Sequence, residues 1–296
     1  MLPVTTESHR GLLPNCLIIG PMRAGTTWIH RYLASRGDVV LPQGRKETYF
    51  FDSYYERGVR WYAQQFRAGQ GHRRIVEVAP TYFHSPEAPQ RVFKDLGRIK
   101  LVCTLRDPAT RAFSHYLHLR RYGLTTLPFR QAVVQHPEIL AASRYSLQLR
   151  RWVSLFGRGC VASVRMETLI ADANQYARQL CSFLDLPFEE LDPALRRPVN
   201  QIASLPRFAA LARLGYRASH FAHALGLHGL VRCGTALGLK RLFFGIPGAV
   251  ALPELSDEDR RWLLLQLGQE FEDLAATGGI EPAAWRLRLQ DDDFSP

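Results

Sequence analysis

Gly20-Pro21-Met22-Arg23-Ala24-Gly25-Thr26-Thr27 follows the apolar run Cys16-Leu17-Ile18-Ile19 and precedes Trp28-Ile29-His30-Arg31-Tyr32-Leu33. An apolar run of strand length, a glycine-bounded turn and apolar positions at Ile29, Tyr32 and Leu33 predict a strand, a loop and a helix in succession. Such a turn directs backbone N–H groups and the positive end of the helix at one point, which suits an anion, most often a phosphate. Gly20 and Gly25 take the glycine positions of a phosphate-binding P-loop, but Thr26 stands where a nucleotidase loop requires lysine. The nearest cation inside the loop is Arg23. The stretch therefore reads as a phosphate cradle that does not hydrolyse ATP. A tight strand-to-helix turn with no ligand is the plainer alternative.

Outward from the loop, the same alternation recurs. Asp38-Val39-Val40-Leu41-Pro42 is a short extended piece after Gly37, Ile75-Val76-Glu77-Val78 is a second core strand ending at Pro80, and Ile99 to Leu105 is nearly continuous apolar, as a buried parallel strand requires. Cys160 to Val164 is a further strand. Helical patterns cover Gly58 to Phe66, Pro86 to Leu96, Ala109 to Arg121, Leu127 to Phe156 and the segment capped by Asp172 and ended by Pro187. Strands alternating with helices predict an α/β fold with a P-loop-like parallel sheet flanked by helices. Ligands of such sheets sit outside the carboxyl ends of the strands. Arg106, at the end of the Ile99–Leu105 strand, and Ser114, on the next helix, are therefore a candidate second phosphate grip, with a surface Arg106–Asp107 pair as the alternative. Lys46-Glu47-Thr48-Tyr49-Phe50-Phe51-Asp52 sets two carboxylates and a lysine around aromatic residues, an arrangement that can raise a carboxylate's pKa toward general-base range. Its alternative is that Phe50 and Phe51 are core and the charges merely surround them.

The 296 residues, 46% apolar, suffice for one domain over 1–296, with an α/β core at 15–187 and a helical C-terminal extension at 200–290 as a candidate lid. A net charge of +11 favours acidic partners: a nucleotide, a sulfated or phosphorylated substrate, nucleic acid or an anionic membrane surface. Only Lys46, Lys94, Lys100 and Lys240 are lysines, so the excess is arginine, which grips phosphate bidentately. Five widely spaced cysteines with no CxxC pair fit a reduced compartment. The N-terminus lacks an unbroken apolar stretch and no window reaches membrane-span length, so the protein is expected to be cytoplasmic, without a transmembrane segment. Residues 205–250 hold helix-like rows read as core-packing helices, with a lid or an interfacial pair on an anionic membrane as the other readings. His220, His223 and His228 lack a cysteine or carboxylate at ligand spacing, and no metal is expected. Ser256-Asp257-Glu258-Asp259 opens a last helix through Phe271.

Four ordered blocks, the opening loop, Lys46 to Asp52, Glu77-Val-Ala-Pro-Thr-Tyr-Phe-His-Ser-Pro86 and Leu105-Arg-Asp-Pro-Ala-Thr-Arg-Ala-Phe-Ser114, closely resemble the sulfotransferases that use 3′-phosphoadenosine 5′-phosphosulfate (PAPS). The likeness is strongest to the heparan-sulfate 3-O- and N-sulfotransferase branch and its soluble bacterial relatives. It implies sulfuryl transfer to a hydroxyl or amine of a carbohydrate or secondary-metabolite acceptor, with no metal required and no nucleic-acid partner. By the same resemblance Arg23, Ala24, Gly25, Thr26 and Thr27 bind the 5′-phosphosulfate end, Trp28 also belongs to the nucleotide-binding set, and Arg106 with Ser114 holds the 3′-phosphate. Glu47 corresponds to the catalytic base, Lys46 sits beside the sulfuryl oxygens and Asp52 supports the site. Three positions depart from the family pattern: Arg23 replaces the usual loop lysine, Tyr49 replaces a histidine of the 3-O branch, and Val78 replaces a lysine that lends the cleft a cation.

Overall fold

The computed structural model describes residues 13–67, 72–196, 205–206, 208–224, 252–271, 274 and 285, with backbone alone at 219–224, 269 and 271. The chain divides into two compact units, one of 1–107, 142–199 and 267–296, the other of 108–141 and 200–266. The division falls just after the third predicted core strand, so residues 108–141 group with later helices and not with the sheet.

The first unit carries a five-stranded parallel sheet. Its strands are β1 (Cys16–Gly20), β2 (Val39–Val40), β3 (Arg74–Val78), β4 (Lys100–Leu105) and β5 (Val161–Arg165), in the spatial order β2-β3-β1-β4-β5. β1 is central and all five of its residues are buried. α1 (Thr26–Ala34) returns from it along one face. That face holds the aliphatic core: Ile18, Val76, Val78 and Val102 pack with Trp28, Ile29 and Leu33 of α1 and with Tyr176, Leu180 and Leu184 of α10 (Ala173–Leu184). The Asp172 side chain caps α10 by accepting from the N–H groups of Asn174 and Gln175, as its place in the sequence predicts.

Because side chains alternate along a strand, Glu77 points away from Val76 and Val78, and it is fully buried. An aromatic layer surrounds this second environment. Phe50 and Phe51 of α2 (Phe50–Ser53) meet Tyr62 of α3 (Gly58–Ala63), with ring centroids 4.6 and 5.0 Å apart, and Phe51 meets Tyr82 at 5.6 Å. α4 (Ala88–Leu96) follows. The predicted helical stretch from Leu127 to Phe156 is three helices, α6 (Phe129–Gln135), α7 (Glu138–Ala141) and α8 (Tyr145–Phe156), the first break falling at Pro137, which cannot continue a helix. α8 belongs to the first unit and buries Tyr145, Leu149, Trp152 and Phe156 as one face. The short α9 (Met166–Ala171) links β5 to α10.

The second unit consists, among the described residues, of α5 (Pro108–Arg121), α6, α7, α11 (Ala209–Ala224) and α12 (Asp257–Leu267). Arg130 of α6 pairs with Asp259 and Glu258 of α12, both at 2.7 Å. The Ser256 hydroxyl accepts from the Asp259 N–H at 3.1 Å, so α12 starts at the predicted cap. Of the helices expected over 205–250, only α11 lies among the described residues, and the His220, His223 and His228 side chains lie outside them. Cys16, Cys103, Cys160 and Cys181 are free, and Cys233 lies outside the described residues. No described helix is long and apolar enough to cross a membrane.

Candidate active site

The loop between β1 and α1 is held from behind by its carbonyls. Thr104 Oγ1 of β4 donates to the Ala24 carbonyl at 2.6 Å, and Tyr176 donates to Thr104 Oγ1 at 2.8 Å. Arg106 Nη1 donates to the Arg23 carbonyl at 3.3 Å. Gly20 has φ +103°, and a Cβ there would lie 2.5 Å from the Pro80 backbone, so only glycine fits this close crossing. Gly25 caps α1 at φ +92° without any side-chain cap. Trp28 and Ile29 donate their N–H groups to the Gly25 carbonyl, at 2.9 and 3.2 Å. Among the described residues, the N–H groups of Gly25, Thr26 and Thr27 have no backbone partner. This is the donor-rich, positively polarised helix start that anions favour. Arg23 sits in the left-handed region at φ +68°, a strained conformation for a residue with a side chain.

Trp28 does not join the loop's open face. Its indole is 1% exposed, stacks on Tyr32 at 5.4 Å and donates to the Leu195 carbonyl at 2.6 Å, while its N–H is spent on Gly25. An aromatic residue one turn into a buried helix serves the core, and the Trp28 indole does so here.

Lys46 meets both halves of the site. Its Nζ donates to Thr26 Oγ1 at 3.1 Å and to Glu47 Oε1 at 3.1 Å. Burial pushes the Glu47 carboxyl above the ordinary carboxylate value, and the Asp52 charge adds to the rise; the Lys46 ammonium and a hydrogen bond from Tyr49 pull the other way. Oδ1 of Asp52 is buried with no hydrogen-bond partner among the described residues. Tyr49, at the position where the 3-O branch has histidine, thus bonds the candidate base directly. His30, one turn along α1 from Thr26, is pushed down to about 4 by burial and by Lys46, and is neutral at neutral pH.

The segment carrying Glu47 is fixed by side chains from elsewhere. Glu77 Oε1 accepts the Thr48 N–H at 2.7 Å and Glu77 Oε2 accepts from the Tyr62 hydroxyl at 2.7 Å. The Tyr82 hydroxyl donates to Glu77 Oε2 at 3.2 Å and accepts the N–H of Phe50 at 2.9 Å and of Phe51 at 3.3 Å. Arg91 of α4 closes the far end by donating to the Phe51 carbonyl at 2.9 Å. Burial pushes Glu77 up to about 7 against these donors. The sequence motif contains Glu77 without assigning it work; a lone glutamate between valines in a core strand was the available signal. Val78, where the family pattern has lysine, is fully buried in the aliphatic core.

Arg106 lies at the end of β4 with its charge disfavoured by burial, and its carbonyl accepts from the Tyr145 hydroxyl at 2.8 Å. Ser114 lies on α5 in the second unit. A separate groove of about 940 Å³, lined by Lys100, Ser163, Arg165 and Arg178 among others, includes none of the predicted site residues.

The model of the sulfotransferase domain family matches residues 13–211, more than half of the chain. The chain belongs to the sulfotransferase family. Human heparan sulfate glucosamine 3-O-sulfotransferase 6 is 30% identical over 193 residues, covering 62% of this chain and 56% of that protein. Human bifunctional heparan sulfate N-deacetylase/N-sulfotransferase 2 is 30% identical over 206 residues, covering 62% of this chain and 23% of that protein. The chain thus spans about half of one curated relative and about a quarter of the other. A sulfotransferase crystal structure from Alicyclobacillus acidocaldarius shares the fold, with a TM-score of 0.65 at 22% identity over 93% of this chain and 99% of that one. These relatives agree with the branch that the four sequence blocks resemble, and the sulfotransferase's P-loop-like sheet is the predicted one.

Proposed function

We propose that the protein transfers a sulfuryl group from PAPS to a hydroxyl or amine of a carbohydrate or secondary-metabolite acceptor, with Glu47 as the base. The observation that carries this reading is the single ammonium of Lys46, which bridges the anion loop at Thr26 and the carboxylate of Glu47. A phosphate-ester end in the loop and an acceptor over Glu47 would therefore meet at Lys46. The residues present fit such a donor: an uncapped helix start at Gly25 to Thr27, the cation Arg23 in the loop and Arg106 at the end of the neighbouring strand.

Bound PAPS supplies the activated sulfuryl group. Glu47 takes the proton of the attacking acceptor atom at a carboxylate oxygen, and its raised proton affinity suits that work. Lys46 offers positive charge where negative charge develops on the transferred group, and Arg23 stabilises the leaving phosphate electrostatically, since a guanidinium does not give up a proton readily. Asp52 sharpens the base by like charge. Arg106 holds the 3′-phosphate; the contribution expected of Ser114 follows from the family resemblance.

The test is transfer of labelled sulfate from PAPS across a panel of sugar and phenolic acceptors, comparing wild type with Glu47→Gln. The variant should lose about 10²–10⁴-fold in kcat while binding adenosine 3′,5′-bisphosphate normally. Undiminished transfer by the variant would remove Glu47 as the base.

A further inference from the structure

We propose that Glu77 is the positioning residue of the site: its buried carboxylate, held by Tyr62 and Tyr82, fixes the Thr48 N–H and so the backbone that aims Glu47. The inference rests on Glu47 being the base. Thr48 follows Glu47 directly, and its N–H belongs to the peptide that joins them, so the 2.7 Å bond to Glu77 Oε1 fixes the plane from which the Glu47 side chain departs. Tyr49, two residues on, is held at φ +55°, so the chain turns sharply just beyond the base. The turn ends in α2, whose first N–H groups find the Tyr82 hydroxyl; Thr48 Oγ1 also accepts the Phe50 N–H, at 3.2 Å. The bonds from Tyr62 and Tyr82 gather on the same carboxylate.

A charged group buried in a strand is costly unless its acceptors are filled. Here it is filled by the Thr48 main chain of the base segment and by two tyrosines packed against that segment's phenylalanines. A cluster needed only for stability could be apolar. This one instead fixes a main-chain N–H beside the candidate base, where small misplacement is expensive for rate.

The experiment compares Glu77→Leu, which keeps volume and removes the acceptor, with Glu77→Gln, which keeps an oxygen for the Thr48 N–H. In Glu77→Leu, kcat should fall about 100-fold, with the KM for PAPS and the affinity for adenosine 3′,5′-bisphosphate within about threefold of wild type. Glu77→Gln should recover at least about tenfold of that loss. Amide exchange at 48–51 should quicken about tenfold in Glu77→Leu, with exchange at 24–30 unchanged. Equal kcat in wild type and Glu77→Leu, equal losses in the two variants, or a parallel loss of nucleotide affinity would each overturn the proposal. If Glu77→Leu does not fold, Tyr62→Phe takes its place, with an expected loss of about fivefold in kcat at unchanged nucleotide affinity; no loss in kcat would count against the proposal. Undiminished transfer by Glu47→Gln would instead break the base assignment, and the exchange at 48–51 would then report separately whether Glu77 holds the segment.

Discussion

The two sides of this site are built by different means. The proposed anion side is main chain: Gly20 permits a crossing that no side chain could, Gly25 opens the helix, and Thr104 and Arg106 hold the carbonyls of Ala24 and Arg23. The proposed acceptor side is side chain: Glu47 stands on a segment held by Glu77, Tyr62, Tyr82 and Arg91, residues from three other parts of the chain. A main-chain cradle tolerates many residue types around its glycines. A side-chain frame depends on each hydroxyl and carboxylate in it. Lys46 is the described residue that bonds both sides.

After the loss expected of Glu47→Gln, the largest effect is expected at Lys46. Lys46→Met should lower kcat/KM by about 10²–10³-fold, as removal of a single charge-stabilising donor does elsewhere. Its pH profile should also move. As the proposed base, Glu47 would work only when ionised, so activity should rise with pH through a pKa that burial has lifted above the usual carboxylate range. Since the ammonium lowers that pKa, its removal should shift the acidic limb to higher pH; a limb that stays in place would separate Lys46 from Glu47.

Next comes the frame itself. Glu77 is pushed from 4.5 to about 7, so the folded protein binds more protons than the unfolded chain between those values. This contribution to stability is full below about pH 4.5 and is lost as pH rises through about 7, a change of about 3 kcal/mol. Thermal melts of wild type should weaken over that window relative to Glu77→Gln, whose side chain does not titrate. Parallel curves would mean that Glu77 does not titrate there.

Arg106→Ala tests the anion side. It should weaken adenosine 3′,5′-bisphosphate binding by about 10–100-fold in calorimetry and leave the acidic limb where it was. A shifted limb would show that the two sides are not separately built. The smallest effect belongs to Arg23→Lys, which keeps the charge at the position where the family pattern has lysine. Transfer should change by less than about tenfold in either direction, and a larger loss would mean that the guanidinium's planar fork is in use.

The same contrast explains what could be read from the sequence. β1, the loop, α1, β3 and β4 follow from local apolar runs and glycine spacing, and each lies where the pattern predicts within a residue or two. Asp172 and Ser256 were legible as caps because a cap acts within three residues of itself. Lys46 and Glu47 were legible as charges among aromatics and, through the family resemblance, as site residues; the bond from Lys46 to Thr26, twenty residues away, needed the fold. Glu77, Tyr62 and Tyr82 were illegible as a unit, since nothing local tells a strand glutamate that faces a phenol from one that faces water. The packing of Trp28 was illegible for the converse reason: it adjoins the loop in sequence, and its helix turns the indole into the core.

The contact from Lys46 to Thr26 settles the direction of a proton. An ammonium can only donate, so the Thr26 oxygen must receive, and the hydroxyl hydrogen is turned away from Lys46. A neutral threonine, in the place where other phosphate loops put a lysine, thus acts as an acceptor toward a lysine that comes from another part of the chain.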